Sequence, residues 1–243
     1  MKLSEEQLKS YDETGFVILK KLVPDSDCDE LIDHMMAIKN GEKVVEGIKL
    51  PDDGEDLKRI HNPHSHDPLC MKWLIHEKLR EPLESICGGK VDGIQTMYFW
   101  CGSEQRRHQD QYYLPDCFSA WIALEEVSDK NGNLGVQPGS HKGKLVTRDM
   151  LDTDDAFDEM YNDAVDELFE ANKFDEITVS MEKGDVLLFH GVLIHRGRPI
   201  ENEGSSRHAM ANHYIPYDSK KWTFDWWKRH SFDGEVRDNV KTS

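Results

Sequence analysis

The tripeptide His108-Gln109-Asp110 and a distant histidine, His195, constrain this chain more than any other feature. Two imidazoles and one carboxylate suit a divalent transition metal held on one face. His108 and Asp110 stand at i and i+2, so on a strand they project from the same face and can close on one ion. The third donor must be delivered from elsewhere. Among 12 histidines such a tripeptide also arises as a solvated loop pair, and its setting decides between the two. Upstream of His195, Lys183-Gly184 reads as a turn and Asp185-Val-Leu-Leu-Phe189 as a buried strand, with Val192-Leu193-Ile194 as the next strand. Arg207 lies in another strand-like run, Ser205 to Tyr214, where a guanidinium can grip a carboxylate with two parallel hydrogen bonds.

Two-His-one-carboxylate sets with open positions typify non-haem Fe(II) oxygenases. Taken together, His108-Gln-Asp110, Asn131-Gly-Asn-Leu-Gly-Val-Gln-Pro-Gly-Ser-His141, Gly184-Asp-Val-Leu-Leu-Phe-His190, His195 and Arg207 resemble the phytanoyl-CoA dioxygenase (PhyH-like) family. The likeness extends to Phe16-Val-Ile-Leu and His61-Asn-Pro-His64, and so covers most of the chain. The resemblance implies a double-stranded β-helix enzyme, a jelly roll of cupin-like type, that uses Fe(II), 2-oxoglutarate and O2. By it, His108, Asp110 and His195 are the metal ligands and catalytic centre. Arg207 holds the distal carboxylate of 2-oxoglutarate, with Met97 and Trp121 lining the co-substrate pocket. Many members carry Ser two residues after the distal His; this chain has Gly197, so that hydroxyl contact is missing. The stretch from Met97 to His108 also differs from the longer acyl-CoA enzymes, which leaves substrate class open.

At 243 residues the chain suits one all-β domain with helical additions, large enough to bury a real core. The expected division is a helical part at about 1–90, a catalytic β-helix at about 91–217 and a docked C-terminal tail. A net charge of −17 disfavours nucleic acid and acidic membrane faces as partners. The first residues form no apolar targeting segment, and no later stretch approaches the roughly 20 apolar residues that cross a bilayer. The expected location is cytoplasmic and the partner a small-molecule substrate. Five cysteines without CxxC spacing argue against a disulfide framework or a zinc site.

Ser4-Glu-Glu-Gln7 has capping-box spacing and opens a helix that Gly15 ends, and Phe16 to Val23 then reads as a strand. A second helix runs from Asp25 to about Lys39. Asp67-Pro68 starts one or two more, stopped by Gly88-Gly89. Strands are expected near 91–101, 118–125, 133–137, 177–180, 185–190, 192–196 and 206–215. Asp152 to Glu170 holds nine carboxylates and no Lys or Arg, with Phe157, Tyr161, Val165 and Leu168 at helical spacing. An apolar face should pack while the acidic face meets water, as a surface helix or as a wall of the pocket.

For the substrate wall the candidates are Gln95, which shares strand parity with Met97, together with Tyr112, Tyr113 and Arg106. Arg106, Arg107, Arg196 and Arg198 bracket two of the ligands, and local positive charge in an acidic protein would draw an anionic metabolite inward. His61, His64, His66 and His76 lack cysteine partners and suit hydrogen bonding and packing better than a second metal. His190 and His213 read as core or pocket-wall histidines, and Trp222, Trp226 and Trp227 as anchors of the tail. The expected function is hydroxylation of a C–H bond of a small metabolite, an anionic one favoured, with release of succinate and CO2. The alternatives are a non-catalytic metal-binding β-helix module and a halogenase; halogenases of this type replace the carboxylate ligand by a small residue, and Asp110 stands against that.

Overall fold

The computed structural model describes residues 1–50, 58–151, 159–172, 174–222 and 227–238. Phe157 and Trp226, assigned above to an apolar helix face and to the tail, lie outside them. The N-terminal part begins with α1 (Glu5–Thr14), whose N-terminus is closed by Ser4 and Gln7 in a reciprocal capping box. Gly15 ends it at φ 88°, a left-handed conformation that glycine adopts without steric cost. The chain continues through β1 (Phe16–Leu19), α2 (Asp25–Lys39), β2 (Arg59–His61), α3 (Pro68–Leu74), α4 (Glu77–Cys87) and β3 (Val91–Phe99). There follow α5 (Asp110–Tyr113), β4 (Phe118–Ala123), β5 (Leu134–Val136), α6 (Glu159–Asn172), β6 (Ile177–Val179) and β7 (Val186–His190). The last strands are β8 (His195–Gly197), β9 (Ala209–Pro216), β10 (Arg229–Ser231) and β11 (Val236–Arg237).

The large sheet runs β1-β7-β4-β9-β3-β10-β11, with β2 on the free part of β3, and the small sheet runs β6-β5-β8. All pairings are antiparallel. One face of the large sheet packs on the helices, through Leu31, Met35, Trp73, Leu74, Tyr98, Ile122 and Leu188. Its other face packs on the small sheet through Phe99, Trp121, Leu134, Val136, Val179, Leu187 and Phe189. The result is an all-β core of the double-stranded β-helix type with helical additions.

Three strand expectations need correction. The first strand stops at Leu19, because Lys21 turns at φ 49° while its N–H donates to the buried Asp185 carboxylate. Val192 to Ile194 form a turn instead: Leu193 N–H donates to the His190 carbonyl, and Ile194 N–H to Ser140 Oγ. They are apolar because they are buried, Leu193 between the sheets and Ile194 beneath α6, and burial alone does not mark a strand. Arg207 precedes β9, tied by its N–H to the Trp100 carbonyl.

The tail is held by charge as well as by Trp222. Asp92, fully buried on β3, accepts from Arg229 Nε at 2.9 Å and from Arg237, while Arg229 also donates to the carbonyls of Pro216, Tyr217 and Ser219.

Candidate active site

Lateral rows across the large sheet build the site. Antiparallel pairing sets Gln95 opposite His213, His213 opposite Ser119, and Ser119 opposite Phe189. The next row is Met97, Ala211, Trp121 and Leu187. Residues directly opposite share a face, so both rows look toward the small sheet. A register shift between Gly93 and Gln95 brings Gln95 into line with His213.

The small sheet supplies His195 as the first residue of β8. His108 and His195 exchange both backbone hydrogen bonds, at 2.9 and 3.1 Å. The HxD segment is not a strand: His108 makes an isolated bridge, Gln109 is extended at φ −125° and ψ 122°, and Asp110 opens α5. One extended residue is enough to turn both side chains to one point. His108 Nε2 and His195 Nε2 lie 3.6 and 3.5 Å from Asp110 Oδ1. Among the described residues these three form the one cluster whose donor atoms all lie within 4.8 Å of one another.

Each imidazole is oriented from behind. His108 Nδ1–H donates to the Arg106 carbonyl and His195 Nδ1–H to the Leu193 carbonyl, both at 2.9 Å, so each Nε2 lone pair faces the cluster. Asp110 Oδ2 accepts from Ser119 Oγ at 2.7 Å and faces His213 Nε2 at 3.3 Å, which leaves Oδ1 toward His108 and His195. Burial works against the Asp110 charge, but the imidazoles of His195, His213 and His108 outweigh it and hold the carboxyl well below the usual range. Burial, with His195 alongside, pushes His108 down to about 3, so it offers a neutral nitrogen at physiological pH. Gln109, between the ligands, is fully buried; its amide donates to the Lys144 and Val192 carbonyls and accepts from Val146 N–H. Tyr161 on α6 clamps the Gln109 backbone, accepting from its N–H and donating to its carbonyl.

Beside the cluster lies a cavity lined by Met97, Phe99, Ser103, Gln105, Trp121, Leu134, Phe189, Gly197, Arg207, Ala211 and His213. Arg207 is 1% exposed, its guanidinium 5.0 Å from the Phe99 ring and 5.3 Å from that of Trp121. Nη1 donates to the Gly132 carbonyl, Nε is buried without a partner, and no carboxylate among the described residues pairs with it. Burial lowers its pKa to about 10, so it remains charged. At Gly197 an added Cβ would stand 3.0 Å from Ser103 Oγ and from Gln105 N. The Ser103 hydroxyl thus fills the space where a longer residue 197 would reach into the cavity.

The expected substrate residues fare differently. Tyr112 stacks on Tyr161 at 3.7 Å in a core beneath α6, and its neighbour Tyr113 packs edge-on to both; neither lines the cavity. Gln95 lies on the correct face beside His213 but outside the lining. Arg106 pairs with Asp163 and Asp166 in an outer cleft of about 180 Å3. There Arg107 meets Asp166 and Glu176, Arg196 meets Glu176, and Arg198 meets Glu176 and Asp129. Four arginines face four carboxylates, so the local excess of positive charge inferred from sequence is cancelled. The described part of the acidic helix does more than meet water, since α6 supports the His108–Asp110 segment through Tyr161 and neutralises arginines through Asp163 and Asp166. Sequence reasoning missed Ser119, Gln109, Tyr161 and Ser103, and took His213 only as a wall. The pairings of Ser119 and His213 with Asp110 leave no trace in local spacing.

Comparison with known proteins adds the decisive observation: the model of the phytanoyl-CoA dioxygenase (PhyH) family matches residues 11–209. This chain belongs to the phytanoyl-CoA dioxygenase family. Membership makes it an iron- and 2-oxoglutarate-dependent dioxygenase. It is 29% identical over 238 residues to the human peroxisomal phytanoyl-CoA dioxygenase, spanning 89% of this chain and 69% of that one. With an Arabidopsis thaliana phytanoyl-CoA dioxygenase it shares 32% over 190 residues, spanning 74% of this chain and 64% of the relative. Among solved structures, the non-haem α-ketoglutarate-dependent carbocyclase SnoK of nogalamycin biosynthesis superposes with a TM-score of 0.69 at 18% identity, covering 89% of this chain and 85% of SnoK. EctD from S. alaskensis also gives 0.69 at 18% identity, covering 88% and 77%. At such identities these two show the fold that family members share. No helix among the described residues is long and apolar enough to cross a membrane.

Proposed function

We propose that the protein hydroxylates a C–H bond of a small metabolite, coupled to conversion of 2-oxoglutarate into succinate and CO2, with His108, Asp110 and His195 holding the iron. The observation that carries this reading is the combination of three converging donor atoms with a buried, unpaired guanidinium in the adjoining cavity. The donor set fits ferrous iron, since two imidazole nitrogens and one carboxylate oxygen leave coordination positions open. Bound there with 2-oxoglutarate and O2, iron would supply the oxidising power.

The chain's own residues do the rest. The carbonyls of Arg106 and Leu193 fix the two rings, and Ser119 and His213 fix Asp110. Arg207 would receive the far carboxylate of 2-oxoglutarate, while Met97, Phe99 and Trp121 keep water from it. Ser103 stands where it can add a hydroxyl contact in place of the one absent at Gly197. The retained carboxylate disfavours the halogenase alternative.

The same proposal takes residues 1–243 as one functional unit, supported by the core that joins α2 and α3 to the large sheet. A cytoplasmic location suits five free cysteines. The deciding test replaces Asp110 by Ala and measures iron content, 2-oxoglutarate-dependent succinate formation and transfer of labelled oxygen from O2 to product. Loss of all three is expected. A variant with wild-type turnover removes Asp110 from the centre, and a non-catalytic metal-binding module would give no succinate even in the wild type.

A further inference from the structure

Besides Arg207, a second guanidinium near the site has no carboxylate partner among the described residues. Arg59 lies on β2 opposite Phe99, as His61 lies opposite Met97. Phe99 and Met97 line the cavity, and directly paired residues share a face. Strand β2 therefore extends the cavity wall outward by one strand, with Arg59 at its edge. The Arg59 guanidinium sits 6.0 Å from the Phe99 ring, on which Arg207 also lies, and its Nη1 donates to Gln105 Oε1 at 2.8 Å. Gln105 lines the cavity and also the outer cleft. Arg59 is only partly exposed, and that neutral amide is the sole hydrogen-bond partner of its guanidinium among the described residues. No carboxylate there pairs with it, in contrast to Arg106, Arg107, Arg196 and Arg198. Its charge nonetheless acts on His108, Tyr113 and Arg207.

We propose that Arg59, assisted by the Gln105 amide, anchors an oxyanion group of the primary substrate, a carboxylate or a phosphonate, at the mouth of the cavity. The proposal rests on the iron and 2-oxoglutarate reading and names the substrate class for it. Arg207, deeper and beside Trp121, is left for the co-substrate. Two guanidiniums that both approach the Phe99 ring thus divide two anions between them. The planar fork of Arg59 can accept either oxyanion in a two-pronged contact once Gln105 yields one donor.

The test uses protein loaded with Mn(II) and 2-oxoglutarate, which turns nothing over, and reads broadening of the proton signals of small probes by the nearby metal. Benzoate and phenylphosphonate should broaden and the neutral isostere benzamide should not; the stronger of the two acids identifies the group preferred. Arg59→Gln should weaken probe binding by about tenfold or more, the weight of a charge-assisted hydrogen-bonded contact. Arg59→Lys should restore part of it, and 2-oxoglutarate affinity should stay unchanged in both. Arg106→Gln, in the cancelled cleft, should bind the probes like wild type. Equal broadening by benzamide, or wild-type binding in Arg59→Gln, overturns the proposal. So does a loss of 2-oxoglutarate affinity in Arg59→Gln, which would place Arg59 in the co-substrate site. Wild type that holds Mn(II) and 2-oxoglutarate yet broadens neither anion overturns this proposal alone; wild type that binds neither overturns the parent reading with it.

Discussion

Arg207 and Arg229 are both almost wholly buried, at 1% and 3% exposed, and they stand in opposite condition. Arg229 spends its donors on the Asp92 carboxylate and three backbone carbonyls. Arg207 has one backbone carbonyl, two aromatic faces and a buried Nε with nothing to donate to. Desolvating a guanidinium is costly unless its hydrogen bonds and charge are answered. Around Arg229 the fold supplies the answer, and the tail is thereby fastened to the sheet. Around Arg207 no carboxylate of the described residues supplies it, and the proposed co-substrate would. Burial alone therefore does not separate the two arginines; what separates them is a carboxylate partner, which Arg229 has and Arg207 lacks among the described residues.

The largest effect that could break this contrast is expected at the fastened end. Replacing Asp92 by Ala strands Arg229 and Arg237 without their carboxylate, and breaking a buried pair in this way costs about 3–5 kcal/mol. Denaturant unfolding should show that loss, with iron bound per folded molecule unchanged. A variant as stable as wild type would mean that the tail is held by Trp222 and its apolar neighbours instead.

Arg207→Ala should do the converse. Truncating one partner of a buried charge pair commonly costs about 2–5 kcal/mol, here read as a tens- to thousands-fold weaker 2-oxoglutarate affinity by titration calorimetry. Stability without ligand should hold or rise, because an unanswered buried charge has been removed. Arg207→Lys should rescue only partly, since an ammonium lacks the two-pronged geometry. If Arg207→Ala lowers stability as Asp92→Ala does and leaves the affinity intact, the two arginines are alike after all.

The smallest of these effects sharpens the contrast inside the site. Ser119→Ala removes the 2.7 Å hydrogen bond to Asp110 Oδ2, and loss of such an orienting partner typically weakens metal binding by about 10–100-fold. Competition with a calibrated chelator would measure it. An unchanged iron affinity would assign the orientation of Asp110 to His213 alone.

The legible parts of this molecule were the local ones. The capping box at Ser4, the helix stop at Gly15 and the turn at Gly184 depend on residues a few positions apart, and their chemistry stands written in order along the chain. The proposed metal donors and Arg207 stood out because their residue types and wide spacing match a known family. The Asp92 to Arg229 tie spans 137 residues and rests on pairing of β3 with β10, which no window of sequence contains. The same holds for the row that joins Gln95, His213 and Ser119 across three strands. Val192 to Ile194 misled for another reason: apolar residues in a buried turn look the same as those in a buried strand. The four arginines misled because their carboxylates come from α6, from Glu176 and from Asp129, so that charge counted along the chain differs from charge counted in space.

The reciprocal backbone bonds between His108 and His195 carry a thermodynamic consequence. A slip of β8 by one residue would carry His195 to the opposite face of the small sheet and remove one of three donors in a single step. On the proposed ligand set, correct strand alignment and metal capture would be linked: whatever ion prefers the aligned state stabilises that state by mass action. Supplying iron during refolding would act as a proofreader of the small sheet, rewarding the one alignment in which both imidazoles meet.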